Sequence, residues 1–459
     1  MLHWPSICSY SLCDARRQRM TDRMRGFSKG LAFIIIIIMT AGILKSEDVL
    51  PNGQPDFSAG SSQLETYINE ALDRNPGIMQ SFARYQAALQ RLPQVSALPD
   101  PKLSLTQYIR SPETRVGPQT TSLTLSQNLP WFGKLNDMEK VAAKEAAVLQ
   151  SIHEAQKAEI IRQVKLAYFS LGYVDRAIDI TAEDISVLEH FETLARARYQ
   201  QGVGLQQAAV KLQAEITRDQ SRLEELKKQR VDLEATLNNL RDLPSHYPVA
   251  TVPQWERPSV EIDLEHLYKV GRDSRPEIQA ALLQIEKDEK RIQLAKRNYW
   301  PDFTIGGGFT NVMKRSDLQG IANPPEQNGK NIFSFSVGVN IPLQRKKYDA
   351  AVAEATQDKI ASREGYRSIV NSMESSIRAI GFRMETVERQ ISLFENTLLP
   401  QAEQALRSTE AAYATGSLGI LDLLDSERVL LDVRLGLAKL DSDYMKSLAE
   451  MERAVGSPL

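Results

Sequence analysis

One arrangement of elements is written twice along this chain, about 200 residues apart, and that duplication limits the folds open to it more than any other feature. Arg275-Pro276-Glu277-Ile278 answers Asn75-Pro76-Gly77-Ile78 at an offset of 200, Ile341-Pro342 answers Leu129-Pro130 at 212, and Tyr413-x-x-Gly416 answers Tyr199-x-x-Gly202 at 214. The offset grows mainly inside a loop that is longer in the second copy (311–331). A period of this size means a duplicated domain rather than a solenoid of short repeats. The first repeat is placed at 63–241 and the second at 262–456, with a linker at 242–261 punctuated by Pro244, Pro248, Pro253 and Pro258.

Two passages carry the local code. Residues 122–134 read SLTLSQNLPWFGK and residues 333–347 read FSFSVGVNIPLQRKK. Leu123, Leu125 and Leu129 in the first, and Phe333, Phe335, Val337, Val339 and Ile341 in the second, alternate with small polar residues, and a period of two is a strand with one apolar face. Proline cannot donate to a ladder and fixes its own φ, so Pro130 and Pro342 end these strands and can open helices. Strands at 102–109 and 302–309 precede them, completing two hairpins closed by the loops 110–120 and 311–331. Short helices are expected before each hairpin, at 61–74, 77–98, 262–273 and 277–299, the second interrupted at Pro93.

Each hairpin hands over to a very long helix. Residues 136–200 contain no proline, which allows one helix of about 100 Å at about 1.5 Å per residue. It turns at Gly202-Val203-Gly204 and returns over 205–241, where Leu212, Ile216, Leu223, Leu226, Leu233, Leu237 and Leu240 follow a 3,4 spacing, with Asp219 and Arg230 in the two slots that would complete the seam. The second copy repeats this over 348–415, 416–419 and 420–454. With 42% hydrophobic, 25% charged and only 7% aromatic residues, the composition favours long helices over a large mixed core. The net charge of -2 gives no reason to expect nucleic acid.

The only long apolar run, LAFIIIIIMTAGIL at 31–44, follows Arg23, Arg25 and Lys29. It is shorter than the about 20 residues of a membrane-spanning helix and fits the core of a secretory signal. Residues 1–45 are therefore taken as an export signal, with translation starting in one reading at Met20 or Met24, and 46–62 as a leader; an uncleaved anchor is the alternative. Cys8 and Cys13 both precede the run, so the exported chain is expected to have no disulfide, no thiolate metal site and no lipidated cysteine.

Four strands are too few to close a barrel, yet rings stand at the helix-proximal ends of both hairpins: Trp131 and Phe132, and Tyr299 and Trp300. That placement looks like an aromatic girdle at a lipid interface, and Ser104, Thr106, Thr124, Ser126, Thr304, Gly306, Ser334 and Ser336 would line a wet interior. Open strand edges cannot face hydrocarbon, so the unit must close with copies of itself, as a dimer with eight strands or a trimer with twelve. The alternative is a water-soluble hairpin pair packed under the helices.

In this order of elements, in the junction SQNLPWFGK, and in the helix ends RYQQGVG (198–204) and YATGSLGILDLLDSE (413–427), the chain resembles the outer-membrane efflux channel family of the TolC and CusC type. The resemblance implies a mostly α fold with a transmembrane β-barrel contribution: four strands per chain in a trimeric twelve-stranded barrel, continued by a periplasmic α-helical tunnel. It also implies a homotrimer in the outer membrane of a Gram-negative bacterium, docked onto a periplasmic adaptor and an inner-membrane pump, often of the RND class. In the family, carboxylates at the positions of Asp422 and Asp425 narrow the closed periplasmic entrance, and a tyrosine at the place of Tyr413 helps to hold it shut. Asp422 and Asp425 lie three apart, hence on one helical face, and threefold repetition would make rings that favour cations. The turns Gly202, Val203, Gly204 and Gly416, Ser417, Leu418, Gly419 are the expected adaptor contacts.

The first copy departs from the family in having Gln207 and Ala208 where an acidic pair is expected, and Leu418 stands where some relatives carry a basic residue. The gate is therefore expected to rest on Tyr413 hydrogen bonds and packing rather than on an ionic latch between neighbouring chains. No nucleophile motif, phosphate loop or metal-spaced histidine cluster appears, His3, His153, His190, His246 and His266 being scattered. No enzyme, cofactor or bound metal is expected, and the substrate stays open between metal cations and small organic compounds. The rival functions are the exit duct of a type I protein-secretion system and a soluble periplasmic coiled-coil scaffold.

Overall fold

The structure, a computed structural model, describes residues 62–202 and 204–459. The expected signal at 1–45, the leader apart from Ser62, and Val203 lie outside the described residues. Helices α1 (Ser62–Arg74) and α2 (Pro76–Ser96) lead to strands β1 (Lys102–Gln107), β2 (Glu113–Thr114) and β3 (Gly117–Leu129), followed by α3 (Lys134–Gln200) and α4 (Gln206–Leu240). The same order then recurs: α5 (Leu264–Ser274), α6 (Pro276–Arg297), β4 (Phe303–Val312), a short α7 (Leu318–Ala322), β5 (Ile332–Val339), α8 (Arg345–Leu393), a π turn (Phe394–Leu398), α9 (Leu399–Thr415) and α10 (Ile420–Val455).

Local chemistry accounts for most boundaries. The Asn75 side chain caps α2 by accepting from the N–H groups of Gly77 and Ile78, with Pro76 in the first turn. Pro93 does not interrupt α2 as expected; it is exposed in the last turn, where its missing N–H costs one bond. The second long helix, expected over 348–415, is by contrast not continuous. Pro400 cannot bond back toward Asn396, and the backbone widens into the π turn before α9 resumes. Gly436 of α10 admits the bulge, because a Cβ there would stand 2.8 Å from the Phe394 ring.

The four long strands form one antiparallel sheet in the order β1-β3-β4-β5, the two hairpins joined through β3 and β4. The short β2 was not expected; it folds the first loop back onto β3, and β4 runs three residues further than its sequence suggested. Register sorts the two faces. Leu103, Leu125, Gly307 and Phe335 form one row across the sheet, and Leu105, Leu123, Phe309 and Phe333 another. Ser104, Thr124, Gly308 and Ser334, with Ser126, Gly306 and Ser336, fall on the opposite face. The apolar face is bare in the single chain, with Phe333 80% and Phe335 77% exposed. The outer edges of β1 and β5 have no strand partner among the described residues.

The helices carry the core. α3, 67 residues long, packs along α2, α4, α6 and α10, and α8 packs on α6 and α10. One buried cluster gathers Leu64, Tyr67, Val164, Leu171, Leu237 and Val252, and the matching cluster of the second repeat gathers Leu267, Ile278, Met373, Ile377, Met384 and Met451. Both polar residues in the α4 seam are put to use. Arg230 donates to Asp175 at 2.7 Å and to the Val249 carbonyl at 3.2 Å, while Asp175 accepts from the Val252 N–H at 2.9 Å.

That network docks the 242–261 linker on α3. Trp255 lies under the Arg176 guanidinium, 4.4 Å from its ring centre, and over Gly172, where a Cβ would come within 2.3 Å of the indole. Gly172→Leu should therefore lift Trp255 off the helix, costing about 1–3 kcal/mol as overpacking does. A red-shifted tryptophan emission together with a lower denaturant midpoint checks this, and an unchanged midpoint refutes it.

Candidate functional site

The two ends of the helical hairpins meet through one arginine. Arg198, in the last turn of α3, donates from Nη1 to the Tyr413 carbonyl and lays its guanidinium over the Tyr413 ring, 5.0 Å from the centroid. Gly416 makes room: its φ of +82° is left-handed, and a Cβ there would stand 2.8 Å from the Arg198 guanidinium. Tyr413 is 6% exposed and packs with Leu188, Phe191, Leu212 and Leu423. Burial pushes its phenol pKa up, only partly countered by Arg198. The phenol forms no hydrogen bond among the described residues, so within one chain packing and Arg198 hold the tyrosine.

Asp422 and Asp425 both lie on the exposed side of α10, with Leu423 and Leu424 turned inward. The Asp422 carboxylate accepts from the Gly419 N–H at 3.2 Å and so caps its own helix. Asp425 is open, its side chain 78% exposed and 3.8 Å from Arg428. The turn of the first repeat is tight at Gly204, where a Cβ would stand 2.9 Å from the Tyr199 nitrogen, and free at Gly202. In the second turn, Ser417 Oγ lies 3.0 Å from Thr415 Oγ1 and Leu418 is exposed.

Behind the turns sits a group that sequence reasoning left without a role. Glu427, one turn beyond Leu423 and Leu424, is 1% exposed, and neither of its carboxyl oxygens has a hydrogen-bond partner of ordinary geometry. The carboxyls of Asp184 on α3 and of Asp219 and Glu215 on α4 face it. Burial first, then Asp184, pushes the Glu427 pKa up to about 10, so it keeps its proton near neutrality. Asp219, 2% exposed, is pushed up to about 6 by burial and Asp184, against the pull of Arg222. Glu215 lies at the edge of the cluster, its pKa lowered by Arg428, which bonds it at 3.0 Å and ties α10 to α4. The seam spacing already placed Asp219 inside; the 3,4 spacing of Leu423, Leu424 and Glu427 would have done the same for Glu427.

At the other end of the long helices, Trp131 stacks on Trp300 with centroids 5.0 Å apart and planes at 12°, Phe303 lies 5.6 Å away, and Phe132 meets Trp131 edge-on. Asp302 fixes the corner, accepting from the Trp131 N–H at 2.9 Å and from Lys134 at 3.0 Å. Tyr299 is not part of the stack. It pairs with Tyr348, and its hydroxyl donates to Asp349.

Comparison with known proteins adds to this geometry. The family model described as outer membrane efflux protein matches residues 67–241 and 267–457. The chain is 23% identical over 421 residues to the outer membrane protein TolC of Vibrio cholerae, covering 86% of this chain and 91% of the relative. It is 21% identical over 404 residues to the cation efflux system protein CusC of Escherichia coli K12, with 85% of each covered. The crystal structure of the outer membrane protein VceC from Vibrio cholerae superposes with a TM-score of 0.70 at 18% identity, covering 86% of this chain and 96% of that one.

Proposed function

The chain belongs to the outer membrane efflux protein family, and from that premise we propose that it is the exit channel of a tripartite efflux system, exporting small substrates with a periplasmic adaptor and an inner-membrane pump of the RND class. The observation that carries this is the unclosed sheet: four long strands with a bare apolar face, two edges unpartnered among the described residues and a polar second face, continuous with long helices of which α3 alone runs about 100 Å. Three such units give twelve strands, a closed barrel in the outer membrane with no edge left in lipid. The long hairpins then prolong the pore into the periplasm.

The same geometry supports the turns at 202–204 and 416–419 as the adaptor contact and Tyr413, Asp422 and Asp425 as the periplasmic gate. Asp422 and Asp425 are exposed and lie on one face, as ring positions require. The ties of Arg198 to Tyr413 and of Arg428 to Glu215 bind the two hairpins of one chain to each other, so opening would move them as a pair. Among the described residues no three acidic, histidine or cysteine side chains form a metal-holding group.

Single-channel recording tests the gate. Asp422→Ala with Asp425→Ala should reduce cation preference severalfold while leaving assembly intact; unchanged conductance and selectivity would refute the carboxylate rings. The assembly is tested in cells, where deletion of the gene should raise sensitivity to the exported compounds and crosslinkers at Ser417 or Leu418 should capture the adaptor. Capture of a secreted protein's transporter instead would favour the type I secretion duct.

A further inference from the structure

The start of α8 goes against the helix macrodipole. Arg345, Lys346 and Lys347 fill its first turn and no acidic residue stands there, although cations are disfavoured at the positive end of a helix. The equivalent start of α3 obeys the rule, with Lys134 neutralised by Asp302 at 3.0 Å and Asp137 in the first turn. All three first-turn cations are exposed, and no carboxylate among the described residues forms a salt bridge with any of them, whereas Lys359 and Arg383 further along α8 are paired. Arg345 and Lys347 meet only the rings of Tyr299 and Tyr348, at 5.7 and 5.9 Å. A local rule broken with no gain in folding points to a use outside the folded chain.

Their position says what that use is. The cations follow directly on the exposed apolar residues Val339, Ile341 and Leu343, at the sheet end from which the helices leave, the end that the channel reading puts on the periplasmic side. The aromatic stack lies at the same end. Lys347 lines a cleft of about 240 Å³ with Asn298, Trp300, Asn340 and Tyr348, at whose far side Lys134 is already paired with the Asp302 carboxylate, which leaves Lys347 as its free ammonium among the described residues. Ammonium, guanidinium and amide donors beside interfacial rings suit a phosphate that is tied to acyl chains.

We propose that Arg345, Lys346 and Lys347 bind the phosphate of an anionic phospholipid in the periplasmic leaflet, whose acyl chains lie along the apolar face of β5. This rests on the lipid-embedded sheet of the channel reading and goes beyond it by naming the headgroup chemistry. Three cations near a membrane surface give a preference for anionic over zwitterionic lipid of roughly tenfold or more.

Native mass spectrometry of the full-length assembly in detergent tests it, with phosphatidylglycerol, phosphatidylcholine and inorganic phosphate as probes. The wild type should retain phosphatidylglycerol over phosphatidylcholine by roughly tenfold, with inorganic phosphate unable to displace it. The triple variant R345Q/K346Q/K347Q should fall to parity while keeping its subunit number, and K346R/K347R should keep the preference. The proposal is overturned if the triple variant keeps the preference, if phosphate alone displaces the lipid, or if the triple variant falls apart, since the cations would then bridge protomers. A wild type that assembles and conducts without lipid preference overturns this proposal alone; one that never assembles overturns the channel reading and this proposal with it.

Discussion

Glu427→Gln is expected to stabilise the folded chain at pH 7.5, by an amount on the order of 3 kcal/mol, and to leave it almost unchanged at pH 4.5. In the folded state Glu427 holds its proton with a pKa of about 10; in the unfolded chain it ionises at an ordinary glutamate pKa near 4.5. A carboxyl whose folded pKa is raised contributes fully below the unfolded pKa, and that contribution is lost as pH rises toward the folded value. About three pH units separate 4.5 from 7.5, and each is worth about 1.4 kcal/mol at most. Glutamine keeps the shape but has no proton to lose. Asp219, raised to about 6, acts in the same direction over a narrower window. The carboxyls with lowered pKa, among them Glu159, Glu215 and Glu277, lose their contribution only as pH falls below the ordinary glutamate range. Wild-type stability should therefore fall between pH 5 and 8, and thermal melts of the two proteins in one detergent at both pH values check it. An equal shift at both pH values would show that the effect is not ionisation.

Phe335→Arg should nearly abolish assembly, while Ser334→Arg, one residue away, should permit it. Phe335 lies in the row with Leu103 and Leu125 on the bare apolar face, and Ser334 in the row with Ser104 and Thr124 on the opposite one. An arginine facing lipid near the middle of a barrel costs about 2–4 kcal/mol per copy, whereas one facing water in the lumen costs little. Three copies per barrel multiply the difference. The readout is the amount of heat-modifiable oligomer in outer-membrane fractions; equal loss for both variants would contradict the assignment of the faces.

The sheet was legible because its information is local: Phe333 to Ile341 alternate without a break, Leu123 to Leu129 with Gln127 as the one exception, and Pro130 and Pro342 stop them. The long helices were legible from the absence of proline, and where proline was present the expectations went astray. Pro93 falls in an exposed last turn and is harmless, whereas Pro400 forces a π turn that no periodicity announces. The helix end at Gly416 was legible because its left-handed turn demands glycine. Arg198 was not, because its partner Tyr413 is 215 residues away and nothing local marks the pair. The carboxyl cluster needed three helices to assemble, although the polar slot at Asp219 was its visible trace. The cations of the first turn of α8 stood in the sequence, but only the structure shows that no acid among the described residues pairs with them.

The account depends on identical chains pooling their open sheets into one membrane pore. The most direct measurement is planar-bilayer conductance of the purified mature protein, with its subunit number taken from the same preparation by native mass spectrometry. A threefold assembly in detergent that conducts ions in discrete steps is the predicted result, and a water-soluble single chain that leaves the bilayer sealed would contradict it.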